Sequence, residues 1–342
     1  MLSDRRQRVL RALIEEYVAR AMPVGSRTLT ERYQLGVSPA TVRNELSALE
    51  DEGYIFQPHT SAGRIPTDYG YRTFVDSLLE DGVAQQDGEY DETARTLRET
   101  ASQLDALMEQ TSLALARLTD CLSIVLAPSV ASLAIKQITL ISLNPACVLL
   151  VLVTEDGQVL NRNIEFNVAI AADQLALVQR YLNEMLAGRS LAELEAGLRD
   201  ALALSMSDPL VRAVLDEVVE CLRMGAASAA QHHSHRMGIR GLMAQPEFAS
   251  TQSLMPIMQM LEDDTVLLQI LDEAALGGAA GVPSVSIGRE NRAEGLEGVS
   301  VVASRYGRGP AAGVVAVIGP TRMDYSKVIR AVRAASRALD DE

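Results

Sequence analysis

The sequence is poor in the features that mark a membrane protein, a disulfide-built domain or an enzyme. Its 342 residues hold three cysteines, Cys121, Cys147 and Cys221. They are widely spaced, form no C-x-x-C pair and no even set, and sit in apolar contexts, so they read as buried free thiols. Long apolar runs are missing too. The longest, Ala146 to Val153, is far below the roughly eighteen residues that a membrane crossing needs. The opening MLSDRRQRVL carries neither an apolar core nor a cleavage site, and the expectation is a cytoplasmic chain with no membrane association. No nucleophile elbow and no carboxylate dyad with a supporting motif is present, so catalysis is not expected. The run Gly307-Arg308-Gly309-Pro310 lacks the Lys-Ser/Thr of a phosphate loop and reads as a turn between strands. Three of the four histidines, His232, His233 and His235, crowd into one tetrapeptide. Adjacent histidines point in different directions and no Cys or carboxylate stands beside them in sequence. They read as a polar helix end or loop, with no metal and no cofactor expected.

A basic excess is also missing: the net charge is −14. The acidity is uneven. Residues 1–80 hold ten Arg against eleven Asp and Glu, net −1, and the remainder carries the other −13. A nucleic-acid partner is therefore not excluded, but it must be met by local placement of arginines: Arg5, Arg6, Arg8 and Arg11 at the start, then Arg27, Arg43 and Arg64.

The informative stretch is Val37 to Arg72. Ser38 is an N-cap candidate and Pro39 sits at the first helical position. Val42, Leu46 and Leu49 recur at helical spacing as one buried stripe, and Gly53 suits a left-handed stop. The other face displays Ser38, Ala40, Thr41, Arg43, Asn44 and Ser47. Arginine can grip guanine at two atoms, asparagine can do the same with adenine, and small methyl groups pack on thymine. Tyr54 to Phe56 and Arg64 to Pro66 read as two short strands around a polar tip, with Gly63 allowing close approach to a phosphate. This is the pattern of a recognition helix followed by a wing. Upstream, residues 4–21 form a first helix with Leu10, Leu13, Ile14, Tyr17 and Val18 on one stripe, and Ser26 caps a second from Arg27 to Tyr33. Ser26, Arg27, His59, Thr60, Ser61 and Arg64 are the candidates for contacts to the phosphate backbone, which position a protein without reading sequence.

Beyond Tyr69–Leu79, a fourth helix, the polar stretch at 83–90 reads as a linker. A long helix over about 91–120 carries a heptad-like stripe, Leu97, Ala101, Leu104, Met108, Thr111, Leu115, Leu118 and Leu122. It fits a dimer seam or a helix packed on its own domain. Strands follow at Ile135–Ile141, Cys147–Val153 and Val159–Phe166, and later at Thr265–Leu271, Ser284–Gly288, Val299–Arg305 and Gly313–Ile318. Arg322, just before a terminal helix at 324–339, is expected to pair with Asp324.

PVGSRTL, VSPATVRNELSALEDEGYI and PHTSAGRIPTDYGYRTFVD, together with RMGIRGLMAQPEF (236–248), SIGREN (286–291) and IGPTRMDY (318–325), resemble the HrcA family of heat-inducible transcription repressors. The resemblance is dense over the first eighty residues, comes in blocks from 236 onward and is weak between. It implies a multidomain α+β chain. Residues 1–82 would form a winged helix-turn-helix, 91–166 with 246–342 a discontinuous GAF-like domain, and 167–245 an inserted, mainly helical dimerisation domain. It further implies a homodimer on double-stranded DNA at the inverted repeat called CIRCE, upstream of groESL- and dnaK-type operons, with activity maintained by the GroEL chaperonin. The alternative is a repressor gated by a small molecule in the GAF-like domain.

Overall fold

Helix α1 (Asp4–Arg20) starts where Ser3 accepts the Arg6 N–H and stops at Ala21, whose φ of 53° is left-handed. Its buried Leu10, Leu13 and Ile14 pack toward α2 (Ser26–Arg32), α3 (Pro39–Asp51) and α4 (Asp68–Glu80). Helix α3 forms as its sequence dictates. Ser38 Oγ accepts the Thr41 N–H at 3.2 Å, Pro39 opens the first turn, and Gly53 at φ 79° closes the end. Val42, Leu46 and Leu49 are each 0% exposed, and burial of each contributes roughly 1.5–3 kcal/mol. Helix α2 differs from expectation. Gly25, not Ser26, is its N-cap, and Ser26 is already helical and makes no capping bond. The extended backbone at Gly25 lets the helix begin one residue early.

The wing is short. Strands β1 (Ile55–Phe56) and β2 (Ile65–Pro66) pair antiparallel, Ile55 opposite Pro66. Val24 and Arg64 exchange backbone hydrogen bonds of 2.9 Å in both directions, so the segment before α2 is tied to the returning arm of the wing.

The computed structural model describes residues 2–59, 62–83, 95–96, 104–127, 134–155, 159–186, 188–189, 212, 214–221, 234–276, 282–292, 295–307 and 312–340. The expected linker from 84 onward, Leu97 and Ala101 of the heptad stripe, Thr60, Ser61, His232 and His233 lie outside these. No helix among the described residues is long and apolar enough to cross a membrane.

Two units make up the chain: Met1–Val125 with His235–Tyr306 and Val314–Glu342, and Leu126–Ser234 with Gly307–Gly313. The first joins the winged domain to a five-stranded sheet in the order β7 (Ser234–Met237), β3 (Leu122–Leu126), β10 (Gly313–Pro320), β9 (Val299–Tyr306), β8 (Ser284–Ile287). Every residue of the central β10 is buried, as expected of a strand covered on both faces. Helix α5 (Leu104–Thr119) packs against the terminal helix α10 (Tyr325–Leu339). Met108, Thr111 and Leu115 of the heptad stripe are spent inside this unit, which is the second of the two readings of that helix. Leu122 belongs to β3 rather than to the helix, because Asp120 turns left-handed at φ 51°.

Helices α7 (Ile239–Met243) and α8 (Thr251–Glu262) lead to α9 (Asp264–Leu276). The expected strand Thr265–Leu271 is therefore helical. Leu267, Leu271 and Ala275 are buried at i, i+4 and i+8, and the Asp263 carboxylate accepts the Val266 N–H at the helix start. A short apolar run fits both periods, and here the following DEAAL extends it as helix.

The second unit is an antiparallel meander, β4 (Ile135–Asn144), β5 (Cys147–Thr154) and β6 (Val159–Glu165). Helix α6 (Ala172–Leu186) covers one face through Leu175, Val178, Leu182 and Leu186, joined by Val214, Leu215 and Val218. Strand β4 is an edge. Asn183 closes it by bonding the Ile138 N–H and carbonyl at 2.8 and 2.7 Å, and Gln179 accepts the Leu140 N–H at 2.8 Å. The division differs from the expected one over residues 126–166, which fall here and not with the later sheet. The meander strands form a sheet of their own, a grouping that strand texture alone does not reveal.

Candidate nucleic-acid interface

Helix α3 presents Ala40, Arg43, Asn44 and Ser47 as exposed residues, with Thr41 half-buried beside them. Ser38 Oγ and Thr41 Oγ1 lie 3.0 Å apart within the cap, and Ser47 Oγ donates to the Arg43 carbonyl at 3.1 Å. Among the described residues the Arg43 guanidinium and the Asn44 amide have no hydrogen bond or ion pair. Both are free to meet base edges from the first turns of the helix.

Ion pairing sorts the other arginines of the winged domain. Arg5 and Arg6 hold Glu45, and Arg6 also reaches Glu52 at 2.6 Å. Arg11 meets Glu15 and Asp81, while Arg20 and Arg32 share Glu16. Arg64, expected to reach a phosphate, instead sets its Nε 3.0 Å from Glu50 and is only 16% exposed in its side chain. Arg8 and Arg27 are exposed and, with Arg43, are without an ion pair among the described residues. The near-neutral count of this domain thus conceals an uneven pairing of its arginines. Most of its arginines are spent on ion pairs within the fold, and Arg8, Arg27 and Arg43 are not among those pairs.

Glu45 is the residue that the sequence pattern did not bring out. It lies at 7% exposure, three residues after Val42 and on the buried stripe of α3. Arg5 and Arg6 reach it at 2.6 and 3.1 Å and pin the recognition helix to the start of α1. Burial acts to raise its carboxyl, but the hydrogen bonds from Arg6 and Arg5 outweigh it and hold the group below its ordinary value of 4.5. A lowered folded value means that the stabilisation is complete above that range and is lost as the pH falls through the lowered value. Glu45→Gln is therefore expected to lower the melting temperature at neutral pH and to flatten its decline between about pH 5 and pH 3. An unchanged acid limb in thermal melts would show that the pair contributes nothing.

The wing tip contributes His59, which is exposed and whose carbonyl accepts the Ala62 N–H at 2.8 Å. Gly63 has a role other than the one expected. A Cβ there would stand 2.6 Å from the backbone of Pro23 and Val24, so the residue must be glycine for the wing to seat on the segment before α2. Phe56 is 44% exposed on the wing. Tyr54 and Tyr69 stack with their ring centroids 4.6 Å apart. The hydroxyl–hydroxyl hydrogen bond that Tyr54 shares with Tyr69 at 3.3 Å, then burial, raises Tyr54 to about 12.

Away from this face, His235 Nε2 lies 2.9 Å from Asp105, and no cluster of three metal-ligating side chains occurs among the described residues. Cys121 is buried and Cys147 and Cys221 are half-buried, all three as free thiols. Asp324 caps α10 through the Lys327 N–H and is not the partner of Arg322, which turns to Glu247 and Gln245.

Residues 105–329 match the family described as HrcA protein C terminal domain. The chain is 41% identical to the heat-inducible transcription repressor HrcA of Streptomyces avermitilis over 341 residues, 98% of this chain and 97% of that one. It is likewise 41% identical to the protein of the same name from Frankia casuarinae over 349 residues, 100% and 98% of the two chains. Among solved structures, a crystal structure described as a hypothetical protein at 2.2 Å resolution is similar in fold, with a TM-score of 0.63 at 24% identity over 99% of this chain and 98% of that chain.

Proposed function

The chain belongs to the HrcA family of heat-inducible transcription repressors, and on that premise we propose that it is a dimeric, sequence-specific repressor of chaperone operons that binds the CIRCE inverted repeat. Arg43, Asn44, Ala40, Thr41 and Ser47 would read bases in the major groove, with Ser38 at the head of the same helix. Arg27, Ser26 and the wing tip at His59, Thr60 and Ser61 would meet phosphates. Arg64 would act through the wing it braces.

One observation carries this reading. The exposed polar face of α3 holds an arginine and an asparagine with no partner among the described residues, in a domain where most arginines are already paired. Dimerisation has support in the second unit. Cys147, Leu149, Val151 and Val153 alternate along the face of β5 opposite α6 and are only half-buried. Ile141 and Val159 beside them are 45% and 59% exposed. A central strand this apolar calls for a cover, and a second copy of the chain is the occupant proposed.

Control would follow from a small competent fraction, since apparent affinity scales with that fraction. GroEL would restore the competent form, and heat-damaged proteins that occupy GroEL would release the operon. Fluorescence anisotropy on a labelled inverted repeat and on a scrambled duplex, across salt and with or without GroEL, tests this. Selective binding to the repeat, strengthened by GroEL, at a solution mass of two chains, is the expected result. Equal binding to both duplexes would overturn it.

A second reading, gating by a small molecule, has one observation in its favour. A cavity of about 810 Å³ opens between α4, α9 and β8, lined by Arg72, Asp76, Ile270, Glu273, Val285 and Arg292 among others. A compound that raises the melting temperature and shifts operator affinity together would favour it.

A further inference from the structure

We infer that two arginine clamps, Arg72 on Glu290 and Arg322 on the end of α1, fix the orientation of the winged domain on the sheet and thereby select the spacing between operator half-sites. The inference rests on the proposed reading of a dimer on an inverted repeat.

The clamps join segments far apart in sequence. Arg72, on α4, donates from Nε to Glu290 Oε1 at 2.8 Å, from Nη2 to Glu290 Oε2, and from Nη2 to the Val285 carbonyl at 2.6 Å. Four residues earlier, Asp68 accepts the Arg289 N–H at 3.2 Å. Gly288 allows that approach: its φ is +52° and a Cβ there would lie 2.5 Å from the Asp68 carboxylate. On the other side Arg322, 14% exposed in its side chain, donates to both carboxylate oxygens of Glu247 and to Gln245. Its Nη1 reaches the Val18 carbonyl at 3.2 Å, in the last turn of α1, where helix carbonyls have no intrahelical donor. Between the clamps, the buried ring of Tyr71 lies 5.8 Å from Tyr325.

The chemistry suits orientation more than adhesion. Apolar faces tolerate sliding, whereas a guanidinium held at two oxygens of one carboxylate has a fixed plane and a fixed direction. Arg72 on α4 is held in this way across the joint by Glu290, and Arg322, its plane fixed by Glu247, adds one bond to the end of α1, so that the winged domain has little freedom to rotate. Three of the segments involved, Arg236–Phe248, Ser286–Asn291 and Ile318–Tyr325, are the blocks of family resemblance that lie beyond the winged domain. In this inference their shared task is the joint.

Orientation matters because a dimer reads two half-sites at once. Half-sites are presented to one face of the duplex at whole helical turns of about 34–36 Å, and each added base pair rotates the second site by roughly a tenth of a turn. Simultaneous engagement is lost when geometry forbids it. A rigid joint therefore discriminates sharply between spacings, and a loose one does not.

The test uses the full-length protein with Arg72→Ala, Glu290→Ala, Glu290→Gln and the double alanine variant. Affinity is measured for a single half-site, for the native repeat, and for repeats with the spacer altered by about one to five base pairs. The expected result is half-site affinity within about twofold of wild type, native-repeat affinity down roughly tenfold, and a flattened spacing profile. The double variant should be no worse than either single one, because both act through one contact. Glu290→Gln, which keeps the shape and one acceptor, guards against simple misfolding and should give an intermediate profile. A variant profile as steep as that of the wild type overturns the clamp while leaving the repressor reading intact. A wild type with no dependence on spacing also overturns the clamp alone, whereas a wild type that binds the native repeat no better than a single half-site overturns the dimer reading as well.

Discussion

Arg43→Ala is expected to weaken operator binding by about 1–3 kcal/mol at each half-site, the loss typical of one two-point contact to a base. In a dimer that uses both recognition helices the two losses combine to about 2–6 kcal/mol, a fall of roughly thirtyfold to more than ten-thousandfold. The fold should not notice. Arg43 is exposed on α3 and its side chain makes no bond among the described residues, so the melting temperature and the mass in solution should match wild type. Anisotropy on the repeat and on single-base variants of it is the check. Loss of discrimination at one base pair of each half-site would assign that base to Arg43. A uniform loss across all sequences would reassign Arg43 to a phosphate, and unchanged binding would remove α3 from the role of reader.

Gly70→Ala is expected to destabilise the winged domain by about 3 kcal/mol, against the sign that helix propensity alone suggests. Gly70 lies in the first turn of α4, where alanine is ordinarily better than glycine by roughly 1 kcal/mol. Here a Cβ would come within 2.1 Å of the Tyr54 carbonyl oxygen. That oxygen cannot swing aside as a side chain would. It accepts the Thr67 N–H and the Thr67 hydroxyl, each at 3.0 Å, and Tyr54 leads directly into β1. Relief requires that α4 move away from the wing, and overpacking of this kind typically costs about 1–3 kcal/mol or more. Because α4 also carries Asp68 and Arg72, the same movement strains the joint to the sheet. Urea denaturation of the full-length variant gives the answer. A neutral or stabilising effect would mean that the first turn of α4 relaxes more freely than its packing indicates.

The two substitutions mark different kinds of legibility. Arg43 could be singled out from residues within one helix: a serine cap, a proline at the first position, an apolar stripe and a polar face opposite it. Gly70 could not, since its constraint is the carbonyl of a residue on the other side of the wing. The same contrast runs through the charged residues. Arg64 reads as a phosphate ligand until the fold sets Glu50 beside it. Glu45 stands out only once the fold buries it under Arg5 and Arg6. Thr265–Leu271 reads as a strand because a short apolar run satisfies either period, and only its packing on β8 and β9 makes it a helix.

What the sequence determined by itself is local. The stripes of α1 and α3, the cap of α3 at Ser38, the left-handed stop at Gly53, the wing strands, the separate strands β4 to β6 and the amphipathic α10 all follow from interactions between residues a few positions apart or across one turn, where period and turn chemistry are sufficient. The tertiary structure decided which arginines stay free and why Gly63, Gly70 and Gly288 must be glycine. It also joined β3 and β7 to a sheet whose other strands come from the end of the chain, and set α4 against Glu290 across 218 residues and the end of α1 against Arg322 across 304. The physical reason is one of range. Periodicity and capping are properties of neighbouring residues. Pairing of charges, close approach of backbones and sheet order depend on segments that meet only after the chain has folded.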